Sequence, residues 1–328
     1  MPKYILKRVL QSILILLVVG LIIYGLLRCL PASYIENMAR QLSTQPGSKS
    51  FDEWMTQLEA SYGLDKGIVA GYLGWLKNAL TFNFGDSWVW TMPVLEKFEK
   101  TVGISFVMGA VSFVLQLLIS IPLGIIAATK QYSKTDYTIS IVALAGISLP
   151  TFFFASLLKL LFSVKLGWFD LYGLTGRDFE QLTQWGQFWD MAEHLVMPIL
   201  TLTVLSIGSL MRYTRTNMLE VLNADYIRTA RAKGLSEKVV INRHAFRNTL
   251  IPVVTILGGS LPSLFSGALI TEQLFSIPGI GYTAYQSMIV GDIPFTMFYL
   301  TFMAILTLLG NLIADLLYAA VDPRVRLS

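Results

Sequence analysis

Apolar residues run through this chain in six long blocks, at about 9–30, 101–128, 137–164, 195–217, 249–272 and 295–319, with polar intervals of very unequal length between them. A helix needs about 20 apolar residues to cross roughly 30 Å of hydrocarbon, so each block is long enough for one crossing. The pattern predicts an all-α polytopic membrane protein with six transmembrane helices. Pro122, Pro150, Pro198, Gly258 and Pro262 fall inside the blocks. Membrane helices accept such residues when neighbours satisfy the freed backbone groups, and bends are expected there.

The blocks and intervals divide the chain into four parts. Residues 1–30 are a short N-terminus and the first span, 31–100 an interval without a span, 101–320 a core of five spans, and 321–328 a tail. The interval 31–100 is too aromatic for a disordered linker, with Trp54, Tyr62, Tyr72, Trp75, Phe82, Phe84, Trp88 and Trp90 all calling for packing partners. "FDEWMTQLEASYG" and "IVAGYLGWLKNAL" repeat apolar residues at three or four, so a short helix is expected in each, the first closed by Gly63. Gly63, Gly67 and Gly71 imitate a membrane dimer motif, but their setting is polar. The interval reads as a small, partly helical lid or docking element.

Lys3, Lys7 and Arg8 precede an apolar run that begins a secretory signal or a retained span. The run from about Val9 to Leu27 exceeds the usual h-region of roughly 7–15 residues and no small-x-small site follows, so a retained span is expected. Cys29 reads as an ordinary buried or interfacial cysteine.

Charge then sets the orientation. Six crossings put both termini on one side, and that side holds fifteen of the 25 basic residues with six of the 21 acidic ones, leaving +9 there against −5 opposite. Basic residues mark the cytoplasmic face, so both termini are expected inside, in a cell membrane, with the interval 31–100 outside. A net charge of +4 and a charged fraction of 14% point to lipid as the main solvent and away from nucleic acid.

Enzyme chemistry is not evident. One cysteine and two histidines exclude a disulfide framework and a Cys/His zinc cluster. "GSKS" at 47–50 lacks the Gly-Lys pair of a phosphate-binding loop, and neither a G-x-S-x-G elbow nor an H-E-x-x-H pair occurs. His194 beside Glu193 reads as a hydrated loop contact.

The longest cytoplasmic interval, 218–248, contains "YIRTARAKG" at 226–234. Asp225 is placed to cap a short helix, and Gly234 to end it in the left-handed conformation. Ser236 with Glu237 then starts a second helix that re-enters the membrane. Small Ala230 and Ala232 between Arg228, Arg231 and Lys233 suit insertion into a groove of another protein. Charge alone is equally met by the positive-inside rule or by anionic lipid.

This loop resembles the EAA coupling loop of ABC importer membrane subunits, with Arg228, Thr229 and Ala230 in the Glu-Ala-Ala places and Gly234 as the fixed glycine. The first two letters depart from the general pattern, and "YIRTARAKG" looks like the form of the peptide-import branch. "SLPTFFFASLL" at 148–158, "RNTLIPVVT" at 247–255, "EQLFSIPGIGY" at 272–282, "NLIADLLYAAVDPRVR" at 311–326, "YGLDK" and "NFGDS" are likewise similar to the OppB/DppB type. The resemblance implies a type I ABC importer permease fold. It also implies a pore-forming half completed by a second permease of OppC/DppC type, with two ATPases of OppD and OppF type below and an extracellular peptide-binding protein above. ATP and Mg belong to those ATPases; no cofactor is expected on this chain. Asp225, Tyr226, Arg228, Thr229, Ala230, Arg231, Lys233 and Gly234 would form the ATPase-coupling element. Oligopeptides are the implied cargo, although relatives of this type also carry dipeptides, nickel complexes, haem, glutathione and antimicrobial peptides.

Ionisable residues inside spans are costly and mark function by default. Glu272 and Lys159 lie toward outer span ends, where an acid and a base suit the two termini of a peptide, although Lys159 can also snorkel to headgroups. Pro150, together with the tight turn of Pro278, Gly279 and Gly281, completes the candidate path or gate. An ion-coupled carrier would instead need internal repeats and mid-membrane carboxylates, and neither is evident. A receptor whose outer segment binds peptide is the third reading.

Overall fold

A computed structural model describes residues 2–29, 34–249, 253 and 259–321. Two compact units divide these residues: one holds Met1–Gly103 and Ile280–Leu309, the other Ile104–Gly279 and the stretch from Gly310. Every regular element among the described residues is helical.

In the first unit, α1 (Pro2–Arg28) is followed by α2 (Tyr34–Ser43), α3 (Phe51–Ser61) and α4 (Ile68–Ala79). Helices α3 and α4 stand where their apolar spacing predicts; α2 is additional. The start of α3 is fixed by a capping box, in which Ser50 Oγ accepts from the Glu53 amide and the Glu53 carboxylate accepts from the Ser50 amide. Helices α2 and α3 close on Ile35, Ala39 and Leu58, edged by Trp54, Tyr62 and Trp88. Trp54, Tyr62 and Trp88 thus find packing partners here, and Tyr72, Trp75, Phe84 and Trp90 find them in neighbouring clusters, whereas Phe82 is exposed. A second core joins Val94, which begins α5 (Val94–Thr129), to Ile280 and Ala284 of α13 (Ile280–Val290) and to Phe295, Phe298 and Tyr299 of α14 (Ile293–Val321). Asp292, between α13 and α14, is fully buried and accepts from Ser87 Oγ and, at 3.4 Å, from the Val89 amide.

In the second unit, α6 (Lys134–Ser148) and α7 (Thr151–Leu158), the latter continued by a π turn over Lys159–Lys165, meet at 102°. The expected span 137–164 is therefore a broken pair, with Leu149 extended and Pro150 capping α7. Helix α8 (Gln184–Leu222) packs beside α6 so closely that a methyl group on Gly208 would fall within 2.6 Å of Ile147 and closer still to the Ala143 carbonyl. Small residues let membrane helix backbones approach in this way.

Among the described residues four helices are long and apolar enough to cross a membrane, Ile5–Arg28, Val94–Thr129, Gln184–Leu222 and Ile293–Leu317, or five if the α6–α7 pair counts as one span. Helices α5 and α8 run on without a break through Pro122 and Pro198. Pro262 opens a short helix, α11 (Leu261–Phe265), which is separated from α12 (Leu269–Phe275), so 259–272 is not one long helix. Residues 250–252 and 254–258 of the expected fifth span, including Gly258, and the tail 322–328 lie outside the described residues.

Candidate functional site

The loop after α8 is built as a hook. Helix α9 (Asp225–Ala232) is capped by extended Ala224, not by Asp225, whose side chain is 96% exposed on the first turn and lies 3.4 Å from Arg228. Ile227 and Ala230, three residues apart, point inward and are buried against Ala128 of α5, Met218 of α8, and Val240 and Ala245. Ala230 thus packs within its own chain. The outward face carries Tyr226, Arg228, Thr229, Ala232 and Lys233.

The helix ends as the glycine predicts. Gly234 has φ +76°, its amide donates to the Arg231 carbonyl at 2.9 Å, and the Leu235 amide reaches back to the Ala230 carbonyl at 3.4 Å. This pairing satisfies the last carbonyls of α9, and an L-residue adopts the required conformation only at a cost. Extended Ser236 then starts α10 (Glu237–Val239), which passes into a π turn over Val240–Ala245. Arg231 grips Glu237 with two hydrogen bonds of 3.1 and 2.6 Å and so closes the hook. The pairing holds the Glu237 carboxyl below, and the Arg231 guanidinium above, their ordinary ranges. Arg231 is consequently occupied within the chain, while Arg228 and Lys233 remain exposed on the outward face.

Behind the hook, Arg215 of α8 binds both oxygens of Asp136 on α6 at 2.7 Å each. The same carboxylate accepts from the Tyr132 amide at 2.9 Å and from Ser140 at 3.3 Å, and Asp136 is only 2% exposed. Charge counting had placed both residues on one face without pairing them. A separation of 79 residues leaves no spacing signal.

The candidate path residues are drawn together only in part. Glu272 of α12 is fully buried, and its Oε1 accepts from Ser105 Oγ at 2.6 Å and from the Ala268 amide at 3.0 Å. Gly279 lies against it: a methyl group there would come to 2.5 Å from both carboxylate oxygens. On the other side of α12, Lys159 donates to the Leu274 carbonyl at 2.6 Å and sits 3.7 Å from the Tyr172 ring centre. The acid and base expected to face cargo therefore brace the α12 turn from both sides, with Pro278 and Gly279 in the turn. Pro150 caps α7 at the bend, whereas Gly281 lies in α13, in the other unit. His194 contacts Asp170 at 3.2 Å and the Asp190 carbonyl at 2.7 Å, a buried structural contact that does not involve Glu193. Cys29 is exposed.

Beside Ser105 lies a cavity of about 180 Å³ lined by Ser112, Gln116, Ser206 and Ser263 together with Gly109 and Gly267. Gln116 donates to the Ser206 carbonyl at 2.9 Å. These groups are neutral, so no charge marks them in the sequence. A periodic signal does: Ser105, Gly109, Ser112, Gln116 and Ser120 recur at three or four along an otherwise apolar helix.

Residues 120–327 match the family described as "Binding-protein-dependent transport system inner membrane component". The chain is 38% identical over 326 residues to the oligopeptide transport system permease protein AppB of Bacillus subtilis, covering 99% of each. It is 30% identical to the dipeptide transport system permease protein DppB of Alkalihalophilus pseudofirmus, covering 99% of this chain and 100% of the relative. One chain of an inward-facing structure of the MetNI methionine ABC transporter shares the fold, with a TM-score of 0.54 at 18% identity, over 70% of this chain and 97% of that one. The apolar helices, the family match over 120–327 and the full-length relatives agree: this chain is a multi-pass membrane protein that belongs to the family of binding-protein-dependent transport inner membrane components.

Proposed function

We propose that the chain is the pore-forming subunit of an ATP-driven importer of oligopeptides, with six crossings, both termini cytoplasmic, and 31–100 forming a partly helical element on the outer face. The observation that carries this reading is the hook. Ile227 and Ala230 anchor α9 on the ends of two long helices, while Tyr226, Arg228 and Lys233 face outward on a turn fixed by Gly234. A helix held this way transmits a push to α5 and α8 rather than absorbing it. Partner ATPases would bind ATP and Mg and hydrolyse the nucleotide; this chain would bind no cofactor. A second, similar permease would complete the pore, and an extracellular binding protein would deliver cargo. The names of the full-length relatives support peptides as that cargo.

Within the pore, the Ser105–Gln116 stripe supplies neutral hydrogen-bonding groups suited to a peptide backbone. Pro150, Lys159, Glu272, Pro278 and Gly279 form the support of the gate. Native mass spectrometry of the tagged chain, expressed with its genomic neighbours, tests the assembly. One copy with one similar permease and two ATPases is expected. Recovery as a folded monomer or homo-oligomer would contradict the reading and favour a self-sufficient carrier.

A further inference from the structure

We infer that α4 is immersed in the lipid leaflet nearest Arg28, with acyl chains on its Val69–Leu73–Leu80 face and water on its opposite face. The depth of α4 follows from its contacts with α1, one of the membrane-crossing helices. Ile68 packs at Gly25, Tyr24 covers Gly71, Tyr72 covers Gly20, and Tyr72 Oη donates to the Leu17 carbonyl at 3.0 Å. The first two turns of α4 therefore lie beside residues 20–25 of α1, roughly 5–12 Å down that helix from Arg28 at 1.5 Å per residue. Met297, four residues into the apolar span of α14, closes the same cluster with Tyr24 and Tyr72. Two spans thus set the level of α4 below the end of α1.

At that level α4 shows two unlike exposed faces. Val69, Leu73 and Leu80 recur at four and seven residues and are 60%, 56% and 76% exposed. Helix α1 exposes apolar residues of its own, Leu14, Val18, Ile22 and Leu26. Ala70, Gly74 and Asn78 recur every four residues on the other side and line a cavity of about 550 Å³. A helix with an apolar stripe on one side and the wall of a wide, partly polar cavity on the other belongs between hydrocarbon and water.

Phe82, just past α4, adds an independent observation. It holds φ +56° and exposes 77% of its surface. A bulky side chain is a genuine outlier in that conformation. Hydrocarbon around the ring accounts for its exposure, and water does not.

The test uses the full chain in phosphatidylethanolamine–phosphatidylglycerol liposomes, with Cys29→Ser and a single nitroxide on Val69→Cys, Leu73→Cys, Leu80→Cys or Asn78→Cys; Leu14→Cys serves as the lipid-facing reference. Collision rates with oxygen and with a water-soluble nickel chelate are compared. Val69, Leu73 and Leu80 are expected to favour oxygen several-fold, as Leu14 does, with the preference reversed at Asn78. Preference for the chelate at the three apolar positions would overturn the inference, and so would low access to both reagents there, which means a protein cover. Neither outcome bears on the coupling role of α9.

Discussion

Arg215 holds Asp136 through two 2.7 Å hydrogen bonds and so ties the start of α6 to the lower part of α8, directly behind the α9 hook. Removing one member leaves the other charged and poorly solvated. Asp136→Ala is expected to cost about 2–4 kcal/mol, toward the lower end for a buried pair because the Arg215 side chain stays 25% exposed. Thermal unfolding of Asp136→Ala, Arg215→Gln and the double variant checks this. The double variant should lose less than the sum, and strict additivity would mean the two do not interact.

Gly279 gives a steric test of the α12 turn. Gly279→Ala places a methyl group against a carboxylate already fixed by Ser105 and the Ala268 amide, and overpacking of this kind costs about 1–3 kcal/mol. Glu272→Asp, which shortens the acid, should recover part of the loss in the double variant. A Gly279→Ala protein as heat-stable as the parent would show that the turn yields freely.

The Gly234 conformation separates backbone from bulk. No atom lies within 4 Å of a methyl group built there, so a substitution meets only the strain of φ +76°. Gly234→Val should uncouple ATP hydrolysis from uptake with little change in unfolding temperature, and Gly234→Asn, which tolerates this conformation, should be milder. Equal uptake by Gly234→Val and the parent would remove the turn from the coupling path.

Acid should open the hook only well below neutrality. Glu237 has its carboxyl lowered by Arg231, so its contribution is complete above the ordinary glutamate value of about 4.3 and is lost as pH falls through the lower folded value. Both partners are largely exposed, which limits the pair to at most about 1 kcal/mol. Spin-label distances between Thr229→Cys and Lys238→Cys, in a Cys29→Ser background, should stay narrow from pH 8 to pH 5. In Glu237→Gln they should be modestly broader than in the parent and independent of pH across that range. Broadening in the parent between pH 8 and pH 6 would contradict this.

Long apolar runs made α1, α5, α8 and α14 legible, because hydrocarbon demands such length and nothing else in the chain supplies it. Their ends were not. Helix α5 starts at Val94 rather than near 101 because Val94 and Phe98 pack on Phe298, and α8 starts at Gln184 because its outer turns are polar. Gly234 was readable as a helix stop, and the inward pair Ile227–Ala230 could have been read from its spacing of three. Asp225 misled as a cap because Ala224 takes the extended conformation one position earlier. Glu272 with Ser105 was beyond reach, since contacts across 167 residues follow from packing and not from local pattern.

The central claim, that the outward face of α9 docks on an ATPase, is tested most directly by a photo-crosslinking residue placed in turn at Tyr226 and Lys233, with Lys49 as the outer control. The expected result is a crosslink to an ATPase subunit from both α9 positions and none from Lys49, strengthened or weakened by ATP. Crosslinks to lipid alone from Tyr226 and Lys233, in a protein that still folds, would contradict the claim and reduce the basic residues of the loop to markers of the cytoplasmic face.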